Sequence, residues 1–244
     1  MKKPAYQKRF YRAWVYPKKM FRLCIVAGET DISILCDKPL DKKFTLERVK
    51  AYRSQIERYV ARDERFLTTL KPLAVETGSG LLVRAMAAAA KKANVGPMAA
   101  VAGAIAQSLG RDLLRKGCRD VIIENGADIF LKVTRPVAVG IYAGRSTLTG
   151  KLRLVISPAQ TPLGICCSSG TVGHSLSLGS ADSVIILAKD AALADAVATA
   201  AANRVQNRQD MEKAIAFARS IRGVRGCVII LKDNLASWGD LEFA

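Results

Sequence analysis

Two oxygen-bearing side chains one helical turn apart form the first candidate site. Residues 190–204 are predicted to form a helix with Asp190 as its N-cap. Asp195 and Thr199 are four residues apart, so they share one face of that helix. A carboxylate and a hydroxyl in this arrangement can both coordinate Mg²⁺. The alternative is a solvent-facing carboxylate and a threonine bonded to its own helix, although the abundant alanines indicate a helix covered on more than one side.

A loop of small hydroxyl residues and glycines forms the second candidate site. It runs from Cys167 to Ser175, and its backbone N–H groups could converge on an anion as phosphate-binding nests do. The Gly-Lys-Ser/Thr sequence of a Walker A loop is missing, and a plain surface turn is the alternative. The residues predicted to contact the anion are Ser168, Ser169, Gly170, Thr171 and Gly173.

The third candidate site is a short polar segment between two apolar runs, from Glu124 to Asp128. Asn125-Gly126 is typical of a hairpin turn, because both residues accept positive φ. The two flanking carboxylates could instead bind a cation or a ligand hydroxyl. On spacing alone the hairpin is the favoured interpretation.

The elements that must position these segments alternate between strands and helices. Apolar patterning predicts strands at 21–27, 31–37, 121–123, 129–133, 137–142, 152–156, 183–188 and 227–232. It predicts helices at 45–62, 81–92, 97–117, 190–204 and 210–221. This order indicates an α+β fold, or a layered α/β fold with antiparallel pairs.

Composition excludes several classes of protein. The 244 residues are half hydrophobic and 24% charged, so the chain is neither disordered nor dependent on disulfides to fold. The apolar run from Val95 to Ala106 is shorter than the roughly 20 residues of a membrane span. No apolar leader follows the basic start, so we expect a cytoplasmic protein. Six cysteines without a Cys-x-x-Cys spacing indicate buried thiols, and a single histidine favours a hard, oxygen-bound cation over zinc.

The positive charge is concentrated at the N-terminus. The formal net charge is +17, and residues 1–22 carry eight basic side chains, several aromatic rings and no acid. Such a segment can bind nucleic acid through phosphate contacts and base stacking. The favoured alternative is an arm that packs its rings on the core and turns its charges outward. We therefore expect an N-terminal arm over 1–22 and a single domain over 23–244.

The three segments together resemble the ApbE-like superfamily, whose best-known members are Mg²⁺-dependent enzymes that move FMN from FAD onto a threonine of a target protein. The helix at 190–200 resembles the superfamily's C-terminal signature, and residues 124–129 resemble its Gly-Gly-Asp-Ile segment with Ala127 at the second glycine. Ser169-Gly170 followed by His174 resembles a shortened Ser-Gly…His-x-x-Asp-Pro segment. The likeness covers residues 11–243 and is greatest to a shorter, cytosolic branch.

This resemblance implies an ApbE-like α+β fold, with mixed or antiparallel sheets packed against helices. It implies that Asp195 and Thr199 bind Mg²⁺. Two departures concern the flavin and its turnover. Residues 97–103 replace the transferases' Lys-Gly-Tyr/Phe-Ala-x-Asp stretch, and the Asp-Pro that should follow His174 is missing.

The leading hypothesis is a cytosolic protein with a Mg²⁺-assisted pocket for a phosphate-bearing ligand, either a flavin such as FAD or FMN or another nucleotide. It would transfer FMN to an acceptor protein, hydrolyse FAD or only bind the ligand. His174 would serve as acid or base and Asp128 would orient a ligand hydroxyl. Glu124, Asn125 and Gly126 would complete the binding site. The alternatives are a nucleic-acid-binding protein that uses its N-terminal arm, and a non-catalytic scaffold or homo-oligomer with a vestigial pocket.

Overall fold

A long antiparallel sheet forms the centre of the protein, as seen in a computed structural model that describes residue 12 and residues 20–170 and 178–244. The strands of this part of the chain are β1 (Phe21–Ala27), β2 (Thr30–Cys36), β3 (Val121–Asn125), β4 (Asp128–Lys132), β5 (Val137–Gly140), β6 (Arg153–Ile156), β7 (Leu163–Ser168), β8 (Ser183–Ala188), β9 (Val224–Leu231), β10 (Asn234–Gly239) and β11 (Glu242–Phe243). Eight of them pair in the order β1-β2-β3-β4-β7-β8-β9-β10, and each neighbouring pair is antiparallel. A second sheet has the order β11-β6-β5.

Helices cover one face of the long sheet. They are α1 (Lys42–Val60), α2 (Arg65–Thr68), α3 (Leu81–Ala93), α4 (Val101–Arg115), α5 (Ala191–Ala202) and α6 (Asp210–Ser220). Short 3₁₀ turns lie at Pro97–Ala100 and Pro158–Gln160. The second sheet covers the opposite face of the long sheet, so the protein has a helical layer, a central sheet and an outer sheet.

Alternation along the strands separates two hydrophobic cores. In β2, Ile32 and Ile34 pack with the helices, whereas Leu35 packs with the outer sheet. Both faces of the long sheet are therefore covered, and all seven residues of β2 are buried. The predicted α+β class is confirmed, with antiparallel sheets packed against helices.

Most predicted elements are present within a few residues of their predicted ends. The helix expected from Pro97 begins as a 3₁₀ turn and continues as α4, and Gly117 follows it at φ 84°. Three of the strands were not predicted: β7, β10 and β11. In β7, buried residues point to both faces, so its sequence lacks the polar alternation of a half-exposed strand. The strand β1 begins at Phe21, so the last residues of the basic N-terminal segment belong to the central sheet.

The six cysteines are free thiols, four of them buried. The prediction of buried thiols is wrong for Cys24, which lies exposed on the edge strand β1, and Cys167 is only partly covered. In the ranges that the structure describes, every helix is too short or too polar to cross a bilayer.

Candidate functional site

The helix α5 is enclosed because its neighbours come unusually close. All of its residues except Thr199 are buried. A Cβ atom at Gly103 of α4 would lie 2.2 Å from the carbonyl oxygen of Ala191, and one at Gly164 of β7 would lie 2.4 Å from Ala191 Cα. Because Gly103 and Gly164 lack side chains, the backbones of α4 and β7 both lie in contact with the backbone of α5. The expectation of a helix covered on more than one side is met.

The first turn of α5 is fixed by two hydrogen bonds to its free amides. Asp190 accepts from Leu193 N at 2.8 Å, as expected for an N-cap. Gln107 of α4 accepts from Ala191 N at 2.6 Å through Oε1. Sequence analysis missed Gln107, although a glutamine on the apolar face of a predicted helix is a signal that it has a buried partner.

Asp195 points from α5 into the boundary between the helical layer and the sheet. Its Oδ2 accepts a hydrogen bond from Gly103 N at 2.9 Å, and its side chain is buried. Burial raises the pKa of Asp195 to about 7, although the backbone N–H groups of Gly103 and Ala102 act in the opposite direction. The absence of a side chain at Gly103 lets the amide reach this carboxylate.

A second buried carboxylate approaches Asp195 from the sheet. Asp128 is the first residue of β4 and accepts a hydrogen bond from Cys167 N at 3.3 Å. Burial raises the pKa of Asp128 well above its ordinary value, and the negative charge of Asp195 raises it further. Neither carboxylate has an ion-pair partner among the described residues. Two acids thus share an enclosed space without a compensating side-chain cation there.

The turn before Asp128 is the predicted hairpin, with its left-handed residues shifted by one position. Asn125 pairs directly with Asp128, so the loop consists of Gly126 and Ala127 at φ 70° and 81°. The expectation that Asn125 would take positive φ is wrong. Ala127 adopts a conformation that favours glycine, at the position where the ApbE-like motif has its second glycine.

Asn125 and Glu124 point to opposite faces of the sheet because adjacent strand residues alternate. Asn125 lies on the helical side with Asp128, and its Nδ2 donates to Ala102 O at 3.1 Å. Glu124 lies on the other side, where its Oε1 accepts from Ala127 N at 2.9 Å. The structure therefore brings Asn125 to the carboxylate pair and directs Glu124 away from it.

Arg12 explains the position of Glu124. The guanidinium donates from Nε to Glu124 Oε2 at 2.5 Å and from an Nη to Asp31 Oδ1 at 2.9 Å. Another Nη donates to Asp31 O at 2.8 Å. Burial lowers the pKa of Arg12, but the two carboxylates outweigh this effect and raise the pKa above its ordinary value. One arginine of the N-terminal segment is thus held inside the fold.

The structure describes the predicted anion-binding loop, Cys167 to Ser175, only as far as Gly170. Ser168 ends β7 on the same face as Cys166, whose thiol donates to Ala191 O at 3.3 Å. Ser168 Oγ is buried and has no hydrogen-bond partner among the residues that the structure describes, and Ser169 is also buried. Gly170 donates to Ala181 O at 2.9 Å. The predicted Thr171, Gly173 and His174 lie outside the described residues.

Thr199 lies one turn after Asp195 and is half-buried. Its Oγ1 has no hydrogen-bond partner in the part of the chain that the structure describes. The carboxylate and hydroxyl oxygens of Asp128, Asp195 and Thr199 suit a hard cation such as Mg²⁺. The Cys166 thiol also lies beside Asp128. Asp128 and Asp195 can therefore bind a cation, and the hydroxyl of Ser168 can donate a hydrogen bond to an anionic ligand of that cation.

Comparisons with known proteins agree with this architecture. The family model described as "AbpE bacteria" matches residues 12–237. A UPF0280 protein of Methanocella arvoryzae is 40% identical, with 87% of this chain and 86% of the relative covered. A UPF0280 protein of Methanospirillum hungatei is 42% identical over 87% of this chain and 85% of the relative.

Solved structures share the fold at low sequence identity. The ApbE protein of Thermotoga maritima has a TM-score of 0.65 at 13% identity, with 89% of this chain and 96% of that chain covered. The flavinyl transferase ApbE of Pseudomonas stutzeri has a TM-score of 0.62 at 13% identity, with 90% and 94% covered. At this identity the likeness concerns the arrangement of the elements.

Proposed function

We propose a function for this chain, which belongs to the family described as AbpE bacteria. It is a cytoplasmic protein that binds a flavin nucleotide together with Mg²⁺ at Asp128 and Asp195. The fold is that of the ApbE proteins, and the fold neighbour from Pseudomonas stutzeri is a flavinyl transferase. These neighbours suggest the class of ligand. The local chemistry of this chain suggests where the ligand binds.

The observation that carries the proposal is the uncompensated pair of buried acids. Asp128 and Asp195 approach each other from a strand and a helix, and each is buried. Holding two carboxylates together in an apolar interior costs free energy unless a cation or a proton neutralises them. A Mg²⁺ ion held by these acids would supply that neutralisation, and the chemistry it would contribute is stabilisation of the charge on a phosphoryl group.

Each side chain has a specific part in this proposal. Asp195 and Thr199 would hold the cation from one turn of α5, and Gly103 N would keep Asp195 in place. Asp128 would face the cation from β4, or orient a ligand hydroxyl. Ser168 Oγ, which has no partner in the described ranges, would donate to a phosphate oxygen. Backbone groups from Ser169 onward would complete the anion site.

The reaction that fits this site is cleavage of the phosphoanhydride bond of FAD. FMN would pass to a hydroxyl of an acceptor protein, or to water, and AMP would leave. His174 is the residue proposed to exchange the proton. Residues 97–103 depart from the transferase pattern, so transfer to a protein and hydrolysis by water are two separate hypotheses. Product analysis distinguishes them. A mass increase of a protein indicates transfer, and free FMN indicates hydrolysis.

The test is a thermal shift measurement with FAD, FMN or ADP, each with and without Mg²⁺. We expect FAD to raise the melting temperature of the wild-type protein only when Mg²⁺ is present, because phosphate oxygens alone would add to the repulsion at the acids. Asp195→Asn should lose at least tenfold in apparent affinity for FAD with Mg²⁺. Asp240→Asn, at an exposed carboxylate, is the matched control and should behave as the wild type.

A shift that does not depend on Mg²⁺, or that survives in Asp195→Asn, would contradict the proposed site. A non-catalytic scaffold with a vestigial pocket would show no shift with any of these ligands. Nucleic-acid binding is less favoured, because Arg12 of the N-terminal segment is engaged inside the fold. We propose instead that this segment packs against the domain that follows it.

A further inference from the structure

Two cysteine thiols and a carboxylate converge where β2 ends and β3 is about to begin. They belong to Cys36, Asp37 and Cys118, and one ligand atom of each residue lies within 4.8 Å of the other two. Both cysteines are buried, whereas the side chain of Asp37 is 20% exposed. The cysteines lie far apart in the chain, so their spacing in the sequence does not indicate this pair.

Backbone hydrogen bonds fix the two segments that carry these side chains. Asp37 N donates to Asp120 O at 3.1 Å, which extends the pairing of β2 with β3 beyond Cys36. Cys118 N donates to Leu113 O at 3.1 Å, which closes the C-terminal end of α4. The fold itself therefore brings the three side chains together, without the help of a ligand.

The carboxylate of Asp37 is oriented by backbone donors. Its Oδ1 accepts from Arg119 N at 3.0 Å and from Asp120 N at 3.3 Å, and the Cys36 thiol donates to the same oxygen at 3.6 Å. Its Oδ2 lies 3.6 Å from Arg119 Nε, beyond the length of a good hydrogen bond. Carboxylates that bind metals commonly accept such hydrogen bonds from the groups around them. Asp37 is thus held in place with an oxygen that can contact a cation.

The spacing of the three ligand atoms suits a tetrahedral zinc site. Zinc binds sulfur at about 2.3 Å and carboxylate oxygen at about 2.0 Å, so neighbouring ligand atoms of the tetrahedron lie about 3.5–3.8 Å apart. The 3.6 Å between Cys36 Sγ and Asp37 Oδ1 falls within this range. Since the other distances are below 4.8 Å, movements of about 1 Å would complete the geometry.

The chemistry of the group favours a cation over an oxidised cysteine pair. A disulfide would use the two sulfurs and leave the carboxylate without a part. A carboxylate beside a thiol also opposes its ionisation, and the thiolate is the species that reacts in thiol oxidation. A divalent cation instead attracts both thiolates and the carboxylate. Arg119, beside Asp37, compensates the negative charge that remains.

We propose that Cys36, Asp37 and Cys118 bind a thiophilic divalent cation, and that Zn²⁺ is the ion that this donor set suits best. The two thiol protons pass to the solvent as the ion binds, and water completes the tetrahedron on the exposed side of Asp37. The ion would join the end of β2 to the segment between α4 and β3. The single histidine does not count against this site, because thiolate and carboxylate ligands are sufficient.

This site is separate from the carboxylate pair of the proposed flavin site. Cys36 pairs with Val121 at the start of β3, whereas Asp128 pairs with Asn125 at the end of the same strand. The two sites also differ in their donors, since thiolates select a softer cation than the oxygens of the flavin site do.

The test is titration of the reduced, metal-free full chain with Co²⁺, which substitutes for Zn²⁺ and absorbs visible light when thiolates bind it in a tetrahedron. We expect this absorption to saturate at one ion per chain and to disappear when Zn²⁺ is added. Cys118→Ala should lose it or bind Co²⁺ at least tenfold more weakly. Cys227→Ala, which removes another buried thiol of the same hydrophobic core, is the matched control and should keep it.

Asp37→Asn separates metal binding from the structural part of this side chain. The amide oxygen can still accept from Arg119 N and Asp120 N, but the anionic ligand is lost. We expect affinity for Co²⁺ to fall about tenfold or more, and the far-UV circular dichroism of the metal-free chain to match that of the wild type.

Asp195→Asn should keep the Co²⁺ absorption, so this proposal and the flavin site can fail independently. The proposal is overturned if the reduced wild type gives no thiolate absorption with Co²⁺, or if Cys118→Ala and Cys227→Ala bind the ion equally well. Formation of a Cys36–Cys118 disulfide by hydrogen peroxide at the same rate with and without Zn²⁺ would also overturn it, because a bound cation should protect both sulfurs.

Discussion

At the scale of single residues, two acidic side chains are buried together at a cost in the free energy of folding. Asp128 and Asp195 are held near each other in a buried place, whereas Glu124 and Asp31 on the other face of the sheet share one arginine. The second arrangement neutralises its acids within the chain, and the first does not. Binding sites commonly give up stability in this way, because the groups that a ligand needs are unfavourable without it.

Asp128→Asn tests this cost directly. The amide has nearly the same shape and can still accept the hydrogen bond from Cys167 N, but it cannot ionise, so the cost of burying an acid next to Asp195 is removed. We expect the ligand-free variant to be more stable by roughly 1–3 kcal/mol, the usual scale of a buried group without a partner. Urea unfolding in EDTA measures this gain, and the Mg²⁺-dependent response to FAD should be lost. A less stable variant that still binds FAD would argue for a structural role of this acid.

At the scale of secondary structure, the site depends on how closely α4 and α5 approach. Gly103 has two functions there, since its missing side chain allows the contact with Ala191 and its N–H bonds to Asp195. Gly103→Ala should therefore destabilise the protein by about 2 kcal/mol or more, because an added Cβ would lie 2.2 Å from a backbone oxygen.

Gly78→Ala is the control for this substitution, because a Cβ at that position meets no atom within 4 Å and φ is not positive. We expect it to be neutral or to stabilise the protein by up to about 1 kcal/mol through the unfolded chain. In guanidinium unfolding, Gly103→Ala should have a lower midpoint than the wild type, and Gly78→Ala should have an equal or higher one. Equal midpoints would mean that α4 and α5 can move apart at little cost.

Sequence patterns were sufficient to predict the helix α5, but they did not predict the strand β7 or the long-range contacts around the helix. The alanines and Asp190 indicated a covered, N-capped helix, and the Asn-Gly segment indicated the hairpin that positions Asp128. Apolar residues on both faces concealed β7, the strand that carries Cys167 N and Ser168. The approach of Asp128 to Asp195, and the pairing of Arg12 with Glu124, join residues that are far apart in the chain, which local periodicity does not relate.

At the scale of the whole molecule, Arg12 connects the N-terminal segment to the central sheet. Its guanidinium bonds to Asp31 of β2 and Glu124 of β3, and all three side chains are largely buried. Removing one partner of a buried ion pair leaves the other charges uncompensated, at a cost of roughly 3–5 kcal/mol. Arg12→Gln should therefore shift urea unfolding to a markedly lower midpoint, and Arg111→Gln should not. An unchanged midpoint would show that the N-terminal segment is attached independently of this contact.

The carboxylate pair has one acid on a strand of the central sheet and the other on a helix of the covering layer. A ligand that joins them would bind only when the two layers are docked, so its binding free energy would be added to the free energy of unfolding of the entire chain. Copies that carry the ligand should then resist proteases longer than copies that do not. The amount of this protein in a cell would follow the supply of that ligand even at a constant rate of synthesis.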